Sequence, residues 1–219
     1  MNSQKRPCET EALFAYEKQL YDEGARIIVG IDEVGRGALA GPVTAAAVVL
    51  GGDWKPLEGL RDSKQLSPKR RKELAVALVE SVHSSSIAHV EAAYIDKKGI
   101  MPALKLAMTK AVAGLAKDCK HHTEPDKILI DGLPMKLFEQ EKAIVKGDTK
   151  IACIAAASIL AKVARDELMT ELSADYLAYH FDSNKGYASP AHQQAIVKYG
   201  LTPLHRRSFC QNFLQNSLF

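Results

Sequence analysis

Residues 27–50 read IIVGIDEVGRGALAGPVTAAAVVL, and this stretch contains two apolar runs joined by a short, glycine-containing link. The runs at residues 27–31 and 42–50 have the length and the β-branched content of buried strands. The link at residues 34–41 is too short for the helical crossover that a parallel pair requires. We therefore expect the two strands to lie antiparallel in one sheet.

The remainder of the chain mixes further strand-like and helix-like segments. Three more strands are predicted at residues 87–94, 127–131 and 143–146. Helices are predicted at residues 68–80, 102–117, 150–174 and 190–199, the first with Ser67 as its N-cap and Pro68 in its first turn. These elements indicate one continuous α/β domain, with a helical lead-in at residues 1–26, a core at 27–184 and a C-terminal helical segment at 185–219.

The composition excludes several classes of protein but says little about partners. Of the 219 residues, 47% are apolar and 25% are charged, which excludes a disordered chain, a collagen and a coiled-coil rod. The 29 basic and 26 acidic residues give a net charge of +3, which does not by itself indicate a nucleic-acid partner. The sequence has no C-x-x-C pair, no apolar leader and no run of about 20 apolar residues. We therefore expect a cytoplasmic protein that does not enter a membrane.

Four acidic residues follow predicted strands. Asp32 and Glu33 follow the first strand, and Asp131 and Asp148 follow two later ones. Burying carboxylates at strand ends costs free energy unless a divalent cation compensates their charge. The first pair alone favours a solvated turn, but three such strand ends together favour a site for Mg²⁺ or Mn²⁺.

The turn after the first strand contains Gly35, Arg36 and Gly37. Its spacing is similar to a dinucleotide-binding fingerprint, but that fingerprint opens a helix, whereas here Gly41 and Pro42 lead into a strand. A glycine-rich turn lets the backbone approach a ligand, and Arg36 could meet a phosphate. A tight turn without a ligand is the alternative.

Basic residues are concentrated in two stretches, although the chain is nearly neutral. Residues 61–72 carry six basic residues and one acid, and the segment after residue 184 contains basic residues without an acid. Such stretches could follow a phosphate backbone, and Tyr187 could stack on a sugar or a base. A solvated helix face and a surface tyrosine are the alternatives. Ser158 is predicted to pack within a helix, and Arg165 with Asp166 to form a helix-surface or helix-packing pair.

The ordered set of motifs resembles bacterial ribonuclease HII. No single motif is specific, but their order along most of the chain is. The matching stretches are residues 30–37, 40–43, 62–66, 130–132, 146–148, 154–166, 185–187 and 203–209. Arg36 and the 26 residues that precede the first strand favour this family over the related ribonuclease HIII, which has a further N-terminal domain and lacks this arginine.

The resemblance implies a ribonuclease H-like α/β fold, with a central mixed five-stranded sheet flanked by helices and a C-terminal helical extension that lines the substrate groove. It implies an endoribonuclease that cuts the RNA of RNA–DNA hybrids, and duplex DNA on the 5′ side of embedded ribonucleotides, leaving 5′-phosphate and 3′-hydroxyl ends. Two ions of Mn²⁺ or Mg²⁺ would act in catalysis. We expect a monomer.

The resemblance also assigns residues to roles. The catalytic and metal-binding acids would be Asp32, Glu33, Asp131 and Asp148. The turn at Gly35, Arg36 and Gly37 would hold the strand around the ribonucleotide's 2′-hydroxyl, and Tyr187 would sense the RNA–DNA junction. We further predict phosphate contacts from Lys64, Lys185, His205 and Arg206.

Two other functions fit part of the pattern. A phospho-acceptor receiver module also has an acid pair after one strand and an aspartate after another, but it requires parallel strands with helices between them. A non-catalytic hybrid-binding protein would keep the basic residues and would be expected to lose carboxylates.

Overall fold

A computed structural model describes residues 9–60, 66–115 and 124–215. Its sheet strands are β1 (Ile28–Val34), β2 (Val43–Val49), β3 (Ser84–Val90), β4 (Lys127–Asp131) and β5 (Glu141–Ile144). Its helices are α1 (Glu9–Asp22), α2 (Pro68–Ser81), α3 (Ala92–Lys98), α4 (Ile100–Leu115), α5 (Ala152–Leu172), α6 (Phe181–Asn184), α7 (Pro190–Tyr199) and α8 (Arg207–Gln215). Lys64 and part of the basic stretch at residues 61–72 lie outside the described residues.

The five strands form one mixed sheet in the order β3-β2-β1-β4-β5. β1 pairs antiparallel with β2, as the short link predicts, and β2 pairs antiparallel with β3. β4 joins the other side of β1 in parallel, and β5 joins β4 in parallel. This confirms the predicted mixed five-stranded sheet, and the antiparallel β1–β2 pair excludes the receiver-module alternative.

Helices cover both faces of the sheet because the interior strand β2 is apolar on both sides. Every residue of β2 is buried. Ala46 and Val48 pack in the cluster formed with α1, α2 and α5, whereas Ala45 and Ala47 pack in the cluster formed with α3 and α4. The small side chains let the helices lie close to the sheet. On β1, a Cβ at Gly30 would lie 2.4 Å from the carbonyl carbon of Cys153, so glycine is needed where α5 crosses.

A third apolar cluster joins the C-terminal helices to the link between β1 and β2. Leu39 and Ala40 of this link pack with residues of α5, α6, α7 and α8. The backbone N–H groups of both residues donate to the Gly186 carbonyl, at 2.8 and 3.1 Å. The C-terminal segment thus packs on the link and hydrogen-bonds to it.

Two predicted strands begin at the wrong residue. β3 starts at Ser84 rather than residue 87, because all seven residues of β2 find a partner in it. The predicted end at residue 94 is also wrong, since α3 begins at Ala92 and buries Ala92 and Ile95 at helical spacing. β5 starts at Glu141 rather than residue 143 and ends at Ile144. Within the described ranges, no helix is long and apolar enough to span a membrane.

Candidate active site

Two aspartates meet where the parallel strands β1 and β4 lie side by side. Ile31 pairs with Ile130, so the next residues, Asp32 and Asp131, occupy neighbouring positions at this edge of the sheet. β1 continues through Val34, so Asp32 lies inside the strand rather than after it. The sheet register therefore brings two distant parts of the chain to one site.

A third aspartate reaches the site from a tight turn after β5. Lys146 has a left-handed backbone, with φ 56°, and leads into a 3₁₀ turn at Gly147–Thr149 that contains Asp148. Carboxylate oxygens of Asp32, Asp131 and Asp148 all lie within 4.8 Å of one another. The Gly147 N–H donates a 2.6 Å hydrogen bond to Asp131, which ties the turn to β4.

The electrostatics of this aspartate triad favour a cation. Burial raises the pKa of Asp32 well above its ordinary value, and the neighbouring charges of Glu33 and Asp131 raise it further. Hydrogen bonds from the Ser158 side chain and the Glu33 N–H act in the opposite direction. Three close oxygen ligands, two of them buried, are the donor set that Mg²⁺ and Mn²⁺ prefer. The residues present therefore fit the implied metal.

Glu33 is not a member of the aspartate triad. It is half-buried on β1 directly after Asp32, and neighbouring strand residues point to opposite faces of the sheet. The chain does not turn between the two acids, but Glu33 is close enough to Asp32 for its charge to raise the pKa of Asp32. Its predicted role as a catalytic ligand stays a prediction.

The glycine-rich turn after β1 packs on a buried arginine. Gly35 has φ +86°, and a Cβ there would lie 2.2 Å from Nε of Arg165. Arg36 and Gly37 are exposed beside it, where a substrate can reach them. The Arg36 carbonyl accepts a 3.0 Å hydrogen bond from Nη1 of Arg206, so a buried side chain fixes the backbone at Arg36.

Arg165 links this turn to the C-terminal segment through hydrogen bonds. It is fully buried on α5 and donates to the carbonyls of Ala40, Pro42 and Lys185 at 3.1, 2.9 and 2.9 Å. Its guanidinium carbon lies 5.3 Å from the centre of the Tyr187 ring. The predicted helix-surface role is wrong for Arg165, whereas the packing alternative is right.

Tyr187 lies over the face of α5 that carries Arg165. Lys162 is also near its ring, with Nζ 5.9 Å from the ring centre, and the tyrosine is half-buried. The preceding Gly186 has φ +81°, and a Cβ there would lie 2.3 Å from the Ala40 carbonyl oxygen. The structure thus brings Tyr187 close to the link that contains the glycine-rich turn, and the substrate-binding roles of both stay predictions.

The residues predicted to contact phosphate differ in their exposure. His205 and Arg206 are only 2% and 0% exposed, which contradicts a phosphate-contact role because neither side chain reaches the surface. Burial lowers the pKa of His205 to about 4. Lys185 is half-buried, and its Nζ lies near Thr170 and the Asp182 carbonyl. Its contact with phosphate stays a prediction.

The basic stretch on α2 is only partly solvated. Arg71 is buried and donates to the Leu66 carbonyl at 3.0 Å. Lys72 forms a 2.9 Å ion pair with Glu167 of α5. In the described part of the stretch, Arg71 is thus buried, whereas Lys72 stays exposed and pairs with α5 at the surface.

Comparison with known proteins agrees with this geometry. The family model described as "Ribonuclease HII" matches residues 29–212. The chain belongs to the ribonuclease HII family. Membership makes it a metal-dependent endoribonuclease, a hydrolase that acts on the RNA of RNA–DNA hybrids. A curated ribonuclease HII from Shouchella clausii (strain KSM-K16) is 45% identical over 197 residues, covering 90% of this chain and 73% of that protein.

Solved structures share the ribonuclease HII fold. The ribonuclease H2 of Pyrococcus horikoshii OT3 has a TM-score of 0.68 and 26% identity, and the match covers 87% of this chain and 98% of that one. A Bst-RNase HIII solved in complex with Mn²⁺ has a TM-score of 0.65 and 19% identity, covering 100% of this chain and 76% of that one. At that identity the second likeness supports the fold alone.

Several supporting residues were not predicted from the sequence. Ser158 bonds Asp32, and Arg165, two helical turns further along α5, supports the turn and Tyr187. A usable signal was present, since polar residues two turns apart in an alanine-rich helix share one face. His192 gave no such signal, because its partners come together only through the tertiary fold.

Proposed function

We propose that the chain cuts duplex DNA on the 5′ side of an embedded ribonucleotide, in addition to RNA in hybrids, and leaves 5′-phosphate and 3′-hydroxyl ends. The observation that carries this proposal is the placement of the aspartate triad and Tyr187 along one face of α5. Ser158 contacts Asp32 at one point of the helix, and Arg165 lies under Tyr187 two turns later. At 1.5 Å per residue this separates the two points by about 11 Å, a span that one or two nucleotides can bridge.

We propose that the aspartate triad, together with Glu33, would hold two divalent ions, Mg²⁺ or Mn²⁺. Bound ions would supply Lewis-acid stabilisation of the attacking and leaving oxygens in an in-line displacement. Ser158 and the Glu33 N–H hold the Asp32 carboxylate in place, and the Gly147 N–H does the same for Asp131. The chain thus preorganises its ligands before a metal arrives.

Selection of RNA over DNA would come from the exposed turn at Arg36 and Gly37 together with Tyr187. Only the 2′-hydroxyl distinguishes the two sugars at a given position. Arg206 donates to the Arg36 carbonyl, and Arg165 donates to the Ala40 carbonyl of the same link. These hydrogen bonds fix the backbone, so its remaining polar groups can meet that hydroxyl at a defined position. We also propose that the enzyme acts as a monomer.

The decisive experiment is cleavage of a duplex DNA that contains one ribonucleotide, with Mg²⁺ or Mn²⁺ present. We expect one cut on the 5′ side of the ribonucleotide, and the product should be ligated without prior phosphorylation because it already carries a 5′-phosphate. An all-DNA duplex of the same sequence is the matched control. Cutting of both duplexes at the same rate would refute 2′-hydroxyl selection, and no cutting of either by folded protein would refute the proposed reaction.

A further inference from the structure

Two histidines lie in the interior of the C-terminal cluster, close to Tyr187 but away from the aspartate triad. His192 on α7 is 0% exposed, and His205, just before α8, is 2% exposed. Their Nε2 atoms are 3.0 Å apart. Neither can touch a substrate directly, so any part they take in the reaction must pass through a neighbour.

The hydrogen bonds around the pair determine its tautomers. The backbone N–H of Thr202 donates to Nδ1 of His205 at 3.0 Å, so this nitrogen is an acceptor. A neutral His205 then carries its proton on Nε2 and donates it to Nε2 of His192. His192 in turn carries its proton on Nδ1, which donates to the Tyr187 carbonyl at 2.8 Å. All four ring nitrogens are used, and the chain has one direction, from Thr202 to Tyr187.

Aromatic side chains enclose this hydrogen-bond chain. The Tyr179 ring centre lies 5.0 Å from that of His205, and the Phe181 ring centre lies 5.3 Å from that of His192. Burial lowers the pKa of both histidines, so both are neutral near pH 7. A fully bonded polar chain in such surroundings specifies one arrangement, because any break leaves a buried group unpaired.

The far end of the chain is the peptide group of Tyr187. Its carbonyl also accepts a 2.8 Å bond from the Ser189 N–H, and its own N–H donates to the Asn184 carbonyl at 2.9 Å. Both lone pairs of the carbonyl and the donor are therefore occupied. This fixes the backbone from which the tyrosine ring extends over Arg165.

We propose that His192 and His205 are positioning residues for Tyr187. They hold its carbonyl through one directed hydrogen-bond chain and thereby fix where its ring meets the ribonucleotide. The inference rests on the proposed function, in which Tyr187 contacts the substrate. If the histidines only fill space, the variants that keep the side-chain volume should be the most active. If they position Tyr187, the variants that keep the hydrogen-bond donor should be the most active.

The test compares two substitutions of His192 in cleavage of the single-ribonucleotide duplex. His192→Asn keeps an N–H donor near the position of Nδ1, whereas His192→Phe fills the volume without a donor. We expect His192→Phe to lower kcat by about tenfold or more and His192→Asn to lower it much less, since a small misplacement of a contacting group has effects of this size. His83→Asn, at an exposed histidine, is the matched control and should cut like the wild type.

A double-mutant cycle with Tyr187→Ala shows whether the effect passes through the tyrosine. In the Tyr187→Ala background, His192→Phe should have almost no further effect on kcat. An equal loss with and without the tyrosine ring would overturn the inference, as would a His192→Phe enzyme that cuts better than His192→Asn. If Tyr187→Ala itself cuts like the wild type, the proposed function of Tyr187 fails. If Tyr187→Ala is impaired and His192→Phe is not, only the positioning inference fails.

Nitrogen-15 NMR of the imidazole rings tests the chain independently of activity. We expect His192 as the Nδ1–H tautomer and His205 as the Nε2–H tautomer at pH 7, and the reverse assignment would overturn the inference. If His192→Phe does not fold, His205→Gln and His205→Leu give the same comparison, because glutamine keeps a donor near Nε2 and leucine does not. Thermal unfolding of each variant establishes that it is folded.

Discussion

Gly147 donates its backbone N–H to Asp131 at 2.6 Å and so joins the turn after β5 to the end of β4. A Cβ at Gly147 would lie 2.6 Å from Cδ1 of Ile154 and 3.4 Å from Oδ1 of Asp131. An alanine at this position would therefore require either the Ile154 side chain or the turn that carries Asp148 to move. The geometry of the aspartate triad depends on this contact as well as on the three acids.

We expect Gly147→Ala to weaken Mn²⁺ binding by about tenfold to a hundredfold, the range found when groups that orient metal ligands are altered. The added methyl group must displace the turn or Ile154, and either movement changes the distance from Asp148 to Asp131. Calorimetric Mn²⁺ titration measures the affinity. Gly52→Ala is a suitable control because a Cβ there would meet nothing closer than 3.7 Å. Unchanged Mn²⁺ affinity in Gly147→Ala would show that the turn adapts.

Asp131→Asn should abolish most cleavage while leaving the chain folded. The amide oxygen can still accept the Gly147 N–H, and loss of the charge relieves the repulsion that contributes to the raised pKa of Asp32. The metal-free variant should therefore unfold at the same or a higher temperature than the wild type. Mn²⁺ should raise the Tm of the wild type and not that of Asp131→Asn. Asp22→Asn, at an exposed position on α1, is the control.

Retention of both cleavage and the Mn²⁺-dependent rise in Tm by Asp131→Asn would remove this residue from the metal site. If Asp131→Asn loses cleavage because it does not fold, Asp131→Glu takes its place, because it keeps the charge and lengthens the side chain. Circular dichroism establishes whether Asp131→Glu is folded. A folded Asp131→Glu with full activity is also incompatible with the tight triad seen in the structure.

The parts of the fold that local sequence determines were predictable. β1 and β2 are apolar runs of strand length, and a short link allows only antiparallel pairing, which the structure confirms. The meeting of Asp32 and Asp131 follows from the parallel pairing of their strands at one edge of the sheet. The antiparallel pairing can be read from the length of the link. The parallel pairing of β1 with β4 is set by the tertiary fold and was not predicted from the sequence.

The edge strands were less predictable because partners set their limits. Ser84, Ser85 and Ser86 have little intrinsic strand preference, yet they pair with the fully buried end of β2. At β5, the Glu141 carboxylate accepts hydrogen bonds from three successive backbone N–H groups between β4 and β5. Neither effect leaves a periodic pattern in the sequence.

The basic residues show the clearest limit of sequence reasoning. His205 and Arg206 lie in a stretch without acids, which is typical of a phosphate-binding surface. Arg206 instead donates to carbonyls of Gly41 and Arg36, which are 165 and 170 residues away in sequence. Only the tertiary fold shows that such a basic residue is buried and hydrogen-bonds distant backbone carbonyls rather than lying at the surface.

Arg165→Lys should destabilise the protein and impair ribonucleotide cutting together. A lysine nitrogen cannot reach the three carbonyls that the guanidinium bonds, and at about 1–3 kcal/mol for each unsatisfied buried group we expect the free energy of unfolding to fall by about 2–4 kcal/mol. Urea unfolding measures the stability, and the single-ribonucleotide duplex measures the activity. The control is Arg70→Lys on exposed α2, for which we expect little change. A fully stable Arg165→Lys would contradict the role of Arg165 as a link between the glycine-rich turn and the C-terminal segment.

Glu17 gives the stability a pH dependence of its own. Its carboxylate is 1% exposed and accepts a 2.7 Å bond from the Cys153 N–H at the start of α5. Burial raises the pKa of Glu17 from 4.5 to about 6, so the folded protein binds the proton more tightly than the unfolded chain does. Its contribution to stability is therefore fully present below about pH 4.5 and is lost as the pH rises through about 6.

Glu17→Gln should remove this pH dependence, because glutamine keeps an oxygen for the Cys153 N–H and does not ionise. Relative to Glu17→Gln, the wild type should lose about 2 kcal/mol of unfolding free energy between pH 4.5 and pH 7.5, since one pKa unit corresponds to about 1.4 kcal/mol. Urea unfolding across this range measures the difference, and Glu139→Gln at an exposed position should run parallel to the wild type. A constant offset between wild type and Glu17→Gln at every pH would mean that Glu17 has the same pKa in the folded and unfolded states.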